Sequence, residues 1–564
     1  MRFAVNAWMA GFCWVAAAAP AAQYFVATNG NDSAAGTLAQ PWRTIQKAAN
    51  TLLAGDTACV RGGRYSEAVS VNVSGSAAGG PVTLQNYPGE TPVLDGTGLK
   101  VPNGANGMFF VSGQSYVSIQ GFEICNYQTN SSALVPAGIY ITGPAHDLLV
   151  VSNRIHDIVN LSADGNGFGL AVYGTSSAQP ITNLVICGNE LFQLQTGQSE
   201  SLVLNGNVTG FLVGGNRVHD NNNIGIDFIG FEGTCADPAQ DFARNGSCRS
   251  NQVWNISSYG NPGYGNNYGA DGLYCDGASN VVIQLNQVWN CDIGVELASE
   301  HAGHAASHIS LRDNLVWSNS IGGVFMGGYD AQRGLTEYCQ VVHNTLYQND
   351  TLQQGNGEIY LQYYTASNVI ADNVVVANSQ GLLVGSPYPA TNTMDWNLYF
   401  TPAGAANAQW QRGNVTYTGL LAWQGGASED AHSVFADPLL VNPAAVNFHL
   451  SITSPAFNAG DPAFLPAAGE TDIDGQARVA FGRTDMGADE INVLRPAVSV
   501  AGLVAGGLWL QLIGEPGHPY AWERSGTLSD WESFVTNYAN AAGVAGITNS
   551  MGAGAGFFRG RVVQ

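Results

Sequence analysis

Three carboxylates stand at matching offsets in short, glycine-led segments: Asp227 in GIDFIG, Asp276 in GLYCDG and Glu296 in GVELAS. Asp227 and Glu296 stand two residues past their glycine, and Asp276 stands four past its own. On β-strands stacked in register, both offsets project from one face, with about 4.8 Å between strands and roughly 6.6 Å between alternate residues of a strand. Asp276 then lies about 8 Å, on the diagonal, from both Asp227 and Glu296. Inverting cleavage of a glycosidic bond uses carboxyls roughly 6.5–9.5 Å apart, one protonating the leaving oxygen and the other activating water. Glu300 follows the last of these strands and is a further acid candidate, in GVELASEHAGH with His301 and His304.

Around these acids stand residue types that bind sugars. GGYDAQRGLTE supplies Tyr329, Asp330, Arg333 and Glu337, and Asp271 and Tyr274 belong to the Asp276 segment. Tyr274 and Tyr360 fall in the second-offset column, with Tyr140, Ala171, Val203 and Phe325. We read Asp271, Tyr274, His301, His304, Tyr329, Asp330, Arg333 and Tyr360 as substrate-binding candidates. Each has a plainer alternative. Carboxylates on strands are often solvated surface, His301 and His304 serve equally as loop hydrogen-bonders, and Arg333 either binds a uronate carboxylate or pairs with Asp330. Tyrosines also stabilise β-ladders without a ligand. Two histidines do not make a metal site, and none is assigned.

Such a trio needs strands that stack with a constant offset, and the chain contains the repeat for it. NRIHD from Asn153, NELFQ from Asn189, NRVHD from Asn216, NQVWN from Asn251 and from Asn286, NLVWS from Asn314, NTLYQ from Asn344 and NVVVA from Asn373 recur at spacings of 27 to 36 residues. Each follows an apolar run and precedes a glycine-led strand, the pattern of a parallel β-helix coil with loop insertions. Stacking covers every strand edge except at the two ends, which need caps. PWRTIQKAANTLL is an amphipathic helical stretch suited to plugging the first coil. His156 and His219 belong to the repeat and are structural. The long insertion between Gly230 and Asp271 is expected to wall a groove.

The opening YFVATNGNDSAAGTLAQPWRTIQKAANTLLAGDTACVRGGRYSE resembles the N-terminal segment of secreted right-handed β-helix proteins, a superfamily that includes pectate-lyase-like polysaccharide lyases and glycoside hydrolases. TDIDGQARVAFGRTDMGADE resembles the end of the same class, so the resemblance spans about residues 24 to 490. It implies an all-β, right-handed parallel β-helix and a polysaccharide or oligosaccharide substrate, and it leaves the reaction open. Many lyases of this class use a lysine base, but the only lysines are Lys47 and Lys100, outside the central coils. We therefore expect a glycoside hydrolase first, with no required cofactor. A Ca²⁺-assisted lyase is second, with the acidic trio reread as Ca²⁺ ligands, and a non-catalytic glycan-binding protein is third.

The net charge of −23 excludes a basic nucleic-acid-binding surface and fits an extracellular protein kept soluble by its charge. MRFAVNAWMAGFCWVAAAAPAAQ has an early cation, an apolar stretch and an alanine-rich end, so residues 1–22 read as a secretory signal peptide. No later run is long enough to span a bilayer. The remaining organisation is a β-helix over 23–494 and a small β domain over 495–564, in a secreted or cell-surface monomer. Export permits disulfides, and Cys235 with Cys248 is the best candidate pair, while Cys275 reads as core filler.

Overall fold

The computed structural model describes residues 21–388, 390–492, 497–504, 507–514, 517–540, 543–549 and 557–563. The expected signal peptide lies almost entirely outside them. Among the described residues the chain is built on three long parallel sheets of 15, 13 and 13 strands. Each turn of the chain contributes a strand to each sheet, the arrangement of a parallel β-helix.

The glycines that open the repeat strands are there for steric reasons. A Cβ at Gly138, Gly225 or Gly323 would sit 2.6, 2.5 and 2.5 Å from the carbonyl oxygens of Gly169, Gly272 and Glu358 on the next coil. With glycine there, successive coils approach closely and the strands align. Ala137–Thr142, Phe168–Gly174, Leu202–Gly206, Ile226–Ile229, Asp271–Asp276, Ile293–Ala298, Gly322–Met326 and Ile359–Leu361 stack in that order. Their register places Tyr140, Ala171, Val203, Asp227, Tyr274, Glu296, Phe325 and Tyr360 in one column. This is the predicted column, residue for residue.

The interior is a single apolar file of Ile, Leu and Val running from Val26 to Trp423. Beside it, Asn153, Asn189, Asn216, Asn251, Asn286, Asn314, Asn344, Asn373 and Asn397 form an unbroken ladder in which each Nδ2 donates to the Oδ1 of the next. All are buried, so the ladder satisfies backbone groups that a turn would otherwise leave unpaired. On the exterior, the rings of His156, Phe192, His219, Trp254, Trp289 and Trp317 stack in sequence. Their faces meet one another, which makes His156 and His219 ladder elements.

The helix Ile45–Ala49 closes the first coil with Ile45, Ala48 and Ala49 buried, and the Thr44 hydroxyl accepts from Lys47 N–H at its start. Residues 497–563 form two three-stranded antiparallel sheets. No disulfide joins Cys235 to Cys248, and all eight described cysteines are free. The expectation fails because the loop folds back at Asp241, which accepts from Cys235 N–H, before the strand that carries Cys248. Cys248 points into the apolar core, whereas Cys235 lies near the Ser177 hydroxyl at 3.4 Å. Cys275 is fully buried core, as expected.

Candidate functional site

The register brings Asp227 and Glu296 against Tyr274 from either side, with Asp276 two residues further along the middle strand. Three more carboxyls join them. Asp271 opens the strand Asp271–Asp276, Glu200 stands two residues ahead of Leu202–Gly206, and Glu232 arrives from the loop after Ile229. With Glu300, seven carboxyls from neighbouring coils crowd together. Asp227, Asp271 and Asp276 are 2%, 2% and 4% exposed, so they form a floor, while Glu232 and Glu300 stand exposed at the rim.

Burial and mutual repulsion set their protonation. Glu200 is pushed up to about 8, first by burial and then by Glu232 and Glu300. Asp227, Asp271 and Asp276 are raised well above the ordinary carboxylate range, again by burial first, with Glu200, Glu296 and Glu300 respectively the largest charge neighbour of each. Glu296 is pushed to about 7 by burial; hydrogen bonds from the Asp271 carboxyl and from Gln362 Nε2, the latter at 2.8 Å, hold it below its neighbours. The Glu300 backbone N–H donates to Asp276 Oδ1 at 2.7 Å. Glu300 is raised too, by partial burial of its carboxyl first and then by Glu232, while Arg333 and His301 pull it back. The floor thus holds adjacent carboxyls of unequal proton affinity, the arrangement that separates an acid from a base.

The other predicted residues divide. His301 joins the cluster, with its ligating nitrogen and the carboxylate oxygens of Glu232 and Asp276 within 4.8 Å of one another. His304 instead stacks on Phe231, ring centroids 3.9 Å apart, and pins the loop that carries Glu232. Arg333 stacks over the Tyr329 ring and pairs with Asp330 at 3.6 Å, while Asp330 also accepts from Gln332 and Arg333 N–H. Tyr329 is exposed. Tyr274 is buried at 4%, so its ring face is not offered to a sugar, and Tyr360 packs on Phe325. Tyr140 and Tyr173 stack on each other. Past His301 opens a cavity of about 630 Å³, lined by Gly303, Arg333, Glu337 and Tyr364 among others.

Glu200 escaped the sequence reading because only positions after each glycine were aligned. The position before it runs Ala137, Phe168, Glu200, Ile224, Asp271, Ile293, and two acids in an otherwise apolar column are the signal that would have found it. A Ca²⁺ ion fits the donors present: Glu232 and Asp276 offer oxygens, and the buried Asp227 Oδ1 and Asp271 Oδ1 lack hydrogen-bond partners.

Parallel strands in register on successive coils define a right-handed parallel β-helix protein, whose N-terminal part is similar to pectate-lyase-like proteins. The family model described as the Pel9A-like right-handed beta helix region matches residues 24–160. The chain is 36% identical over 434 residues to the uncharacterized protein YwoF of Bacillus subtilis, covering 77% of this chain and 91% of that one, and it belongs to the same family. It is also 30% identical over 116 residues to pectate lyase PEL9 of Emericella nidulans, covering 19% of this chain and 28% of that one. The crystal structure of pectate lyase Pel9A aligns at 16% identity with a TM-score of 0.43, over 83% of this chain and 96% of that one.

Proposed function

We propose that the chain is a secreted, monomeric carbohydrate-active enzyme that hydrolyses glycosidic bonds of a polysaccharide or oligosaccharide with paired carboxyls. The observation that carries this reading is the split in proton affinity between neighbouring acids. Asp276, raised well above the usual range by burial, is the carboxyl that holds its proton and donates it to the leaving oxygen. Glu296, held to about 7, ionises and takes a proton from water. Their diagonal placement on adjacent coils corresponds to about 8 Å, within the range that admits a water beside the sugar. Asp227, Asp271 and Glu200 tune the pair by charge, and Glu300, His301, Tyr329 and Arg333 line the approach.

Elimination on a uronate polymer is the second reading, favoured by the donors of Glu232, Asp276 and His301 within 4.8 Å of one another. Those residues and their acidic neighbours would hold Ca²⁺, which would neutralise a uronate carboxylate. The test is a reducing-sugar assay on a polysaccharide panel, read alongside absorbance at 235 nm. New reducing ends without absorbance are expected; both signals together would establish elimination, and neither would overturn enzymatic cleavage.

A further inference from the structure

The residue before each ladder asparagine turns the chain through a left-handed backbone conformation. Ser152, Gly188, Gly215, Ser250 and Leu285 do so in the earlier coils, and Asp313, His343 and Asp372 do so at φ of 55°, 54° and 57° in the later ones. Three consecutive coils therefore place Asp, His and Asp where the others carry small or apolar residues, with about 4.8 Å between coils.

It is here that the segment 456–491 folds back over the solenoid. Gly487 N–H donates to Asp372 O, and Ala488 N–H to Thr345 Oγ1. The same segment delivers Glu470, so that one ligating atom each from Asp313, His343 and Glu470 lies within 4.8 Å of the others. Asp313 and His343 are 0% exposed and Glu470 is 7%. Both carboxylate oxygens of Asp313, Oε1 of Glu470 and Nδ1 of His343 have no hydrogen-bond partner. Arg478 Nε stands 3.5 Å from Asp313 Oδ1 without a hydrogen bond, because Arg478 Nη2 donates instead to Asp485 O and Gly487 O.

Orphaned polar atoms in a buried site are destabilising, and charge does not balance around them either. Asp313, Asp372, Glu470, Asp472, Asp485 and Glu490 gather about only three guanidiniums, those of Arg312, Arg478 and Arg483. A dication would supply the missing charge and partner the orphaned acceptors, leaving Arg478 Nε and Nη1 to the remaining lone pairs of Asp313.

We propose that Asp313, His343 and Glu470 bind a divalent first-row transition ion, represented by Zn²⁺, that fastens the 456–491 segment to the solenoid. One imidazole and two carboxylates form a donor set for such ions, whereas Ca²⁺ and Mg²⁺ favour oxygen alone. Asp372 Oδ2 stands 3.6 Å from His343 Nε2, on the ring's other nitrogen, where it can orient the imidazole.

The test uses the full chain carrying His301→Ala, which disables the groove's own donor cluster. The protein is stripped with chelator, loaded with ZnCl₂, gel-filtered and assayed for zinc by mass spectrometry, with limited proteolysis of residues 456–491 as a second readout. A single retained ion per chain is expected, together with zinc-dependent protection of the segment. Adding His343→Gln or Glu470→Gln should lower retention at least tenfold and abolish that protection. The two variants alter opposite sides of the site, so misfolding of one leaves the other decisive. Absence of retained zinc in the His301→Ala chain, or undiminished retention in a folded His343→Gln or Glu470→Gln variant, overturns the proposal.

Discussion

Replacing Glu296 with glutamine removes a carboxyl whose pKa folding raises from 4.5 to about 7. One pKa unit is worth about 1.4 kcal/mol, so ionising Glu296 costs the folded state about 3 kcal/mol at pH 8. The folded chain binds this proton more tightly than the unfolded chain does. Its contribution to stability is therefore complete below pH 4.5 and is lost as pH rises through about 7. Glutamine keeps the shape of the side chain, and its Oε1 can still accept from Gln362 Nε2, 2.8 Å away in the parent. The unfolding free energy of Glu296→Gln should thus gain on that of the parent by about 3 kcal/mol between pH 4.5 and 8. Taking the difference at each pH cancels any pH-independent packing cost. It also cancels slopes common to both chains, such as those from Glu358 and Asp313, each pushed up to about 8 mainly by burial. Urea unfolding of both chains in chelator-containing buffer, at half-unit pH steps, measures the gap. A gap constant to within about 0.5 kcal/mol, or one that narrows with pH, refutes the claim that folding forces a proton onto Glu296.

The same ionisation should govern activity: if Glu296 is the base, kcat/KM rises with pH through about 7, and a rate flat from pH 5 to 8 removes it from that role. Asp276→Asn should lower kcat by roughly 10²–10⁴-fold without lowering the melting temperature at pH 8, because asparagine still accepts the Glu300 N–H; turnover at the parent rate disproves the assignment. Asn251→Ala deletes the Nδ2 bonds to Val213 O and Asn286 Oδ1 and the Oδ1 bonds from Asn216 N and Nδ2, and should cost about 4 kcal/mol in denaturant unfolding. Thiol titration of the unfolded, unreduced chain made without residues 1–22 should find all eight cysteines described here, and a count short by two would restore the Cys235–Cys248 bridge.

What was legible from sequence, and what was not, follows from the range of the forces involved. Asn251 and Gly272 announce their rungs because each must satisfy or clear the coil beside it, so the constraint returns once per turn and the register can be read directly from the repeat. Asp271 was assigned to the site from its neighbourhood alone, and its hydrogen bond to Glu296 was not foreseen, because that contact joins different columns on adjacent coils. Glu232 and His301 meet Asp276 through loops outside the repeat, whose paths no periodicity encodes. Cys235 and Cys248 show the same limit from the other side: proximity along a loop says nothing about direction, and the strand pattern sends Cys248 inward. The repeat therefore fixes which carboxyls share a face, while the Phe231–His304 stack holds the loop that brings Glu232 to them. Burial raises every carboxyl of the floor, and the hydrogen bonds that Glu296 accepts from Asp271 and Gln362 set it apart, so the proton affinities of the site rest on contacts between columns as well as on the repeat.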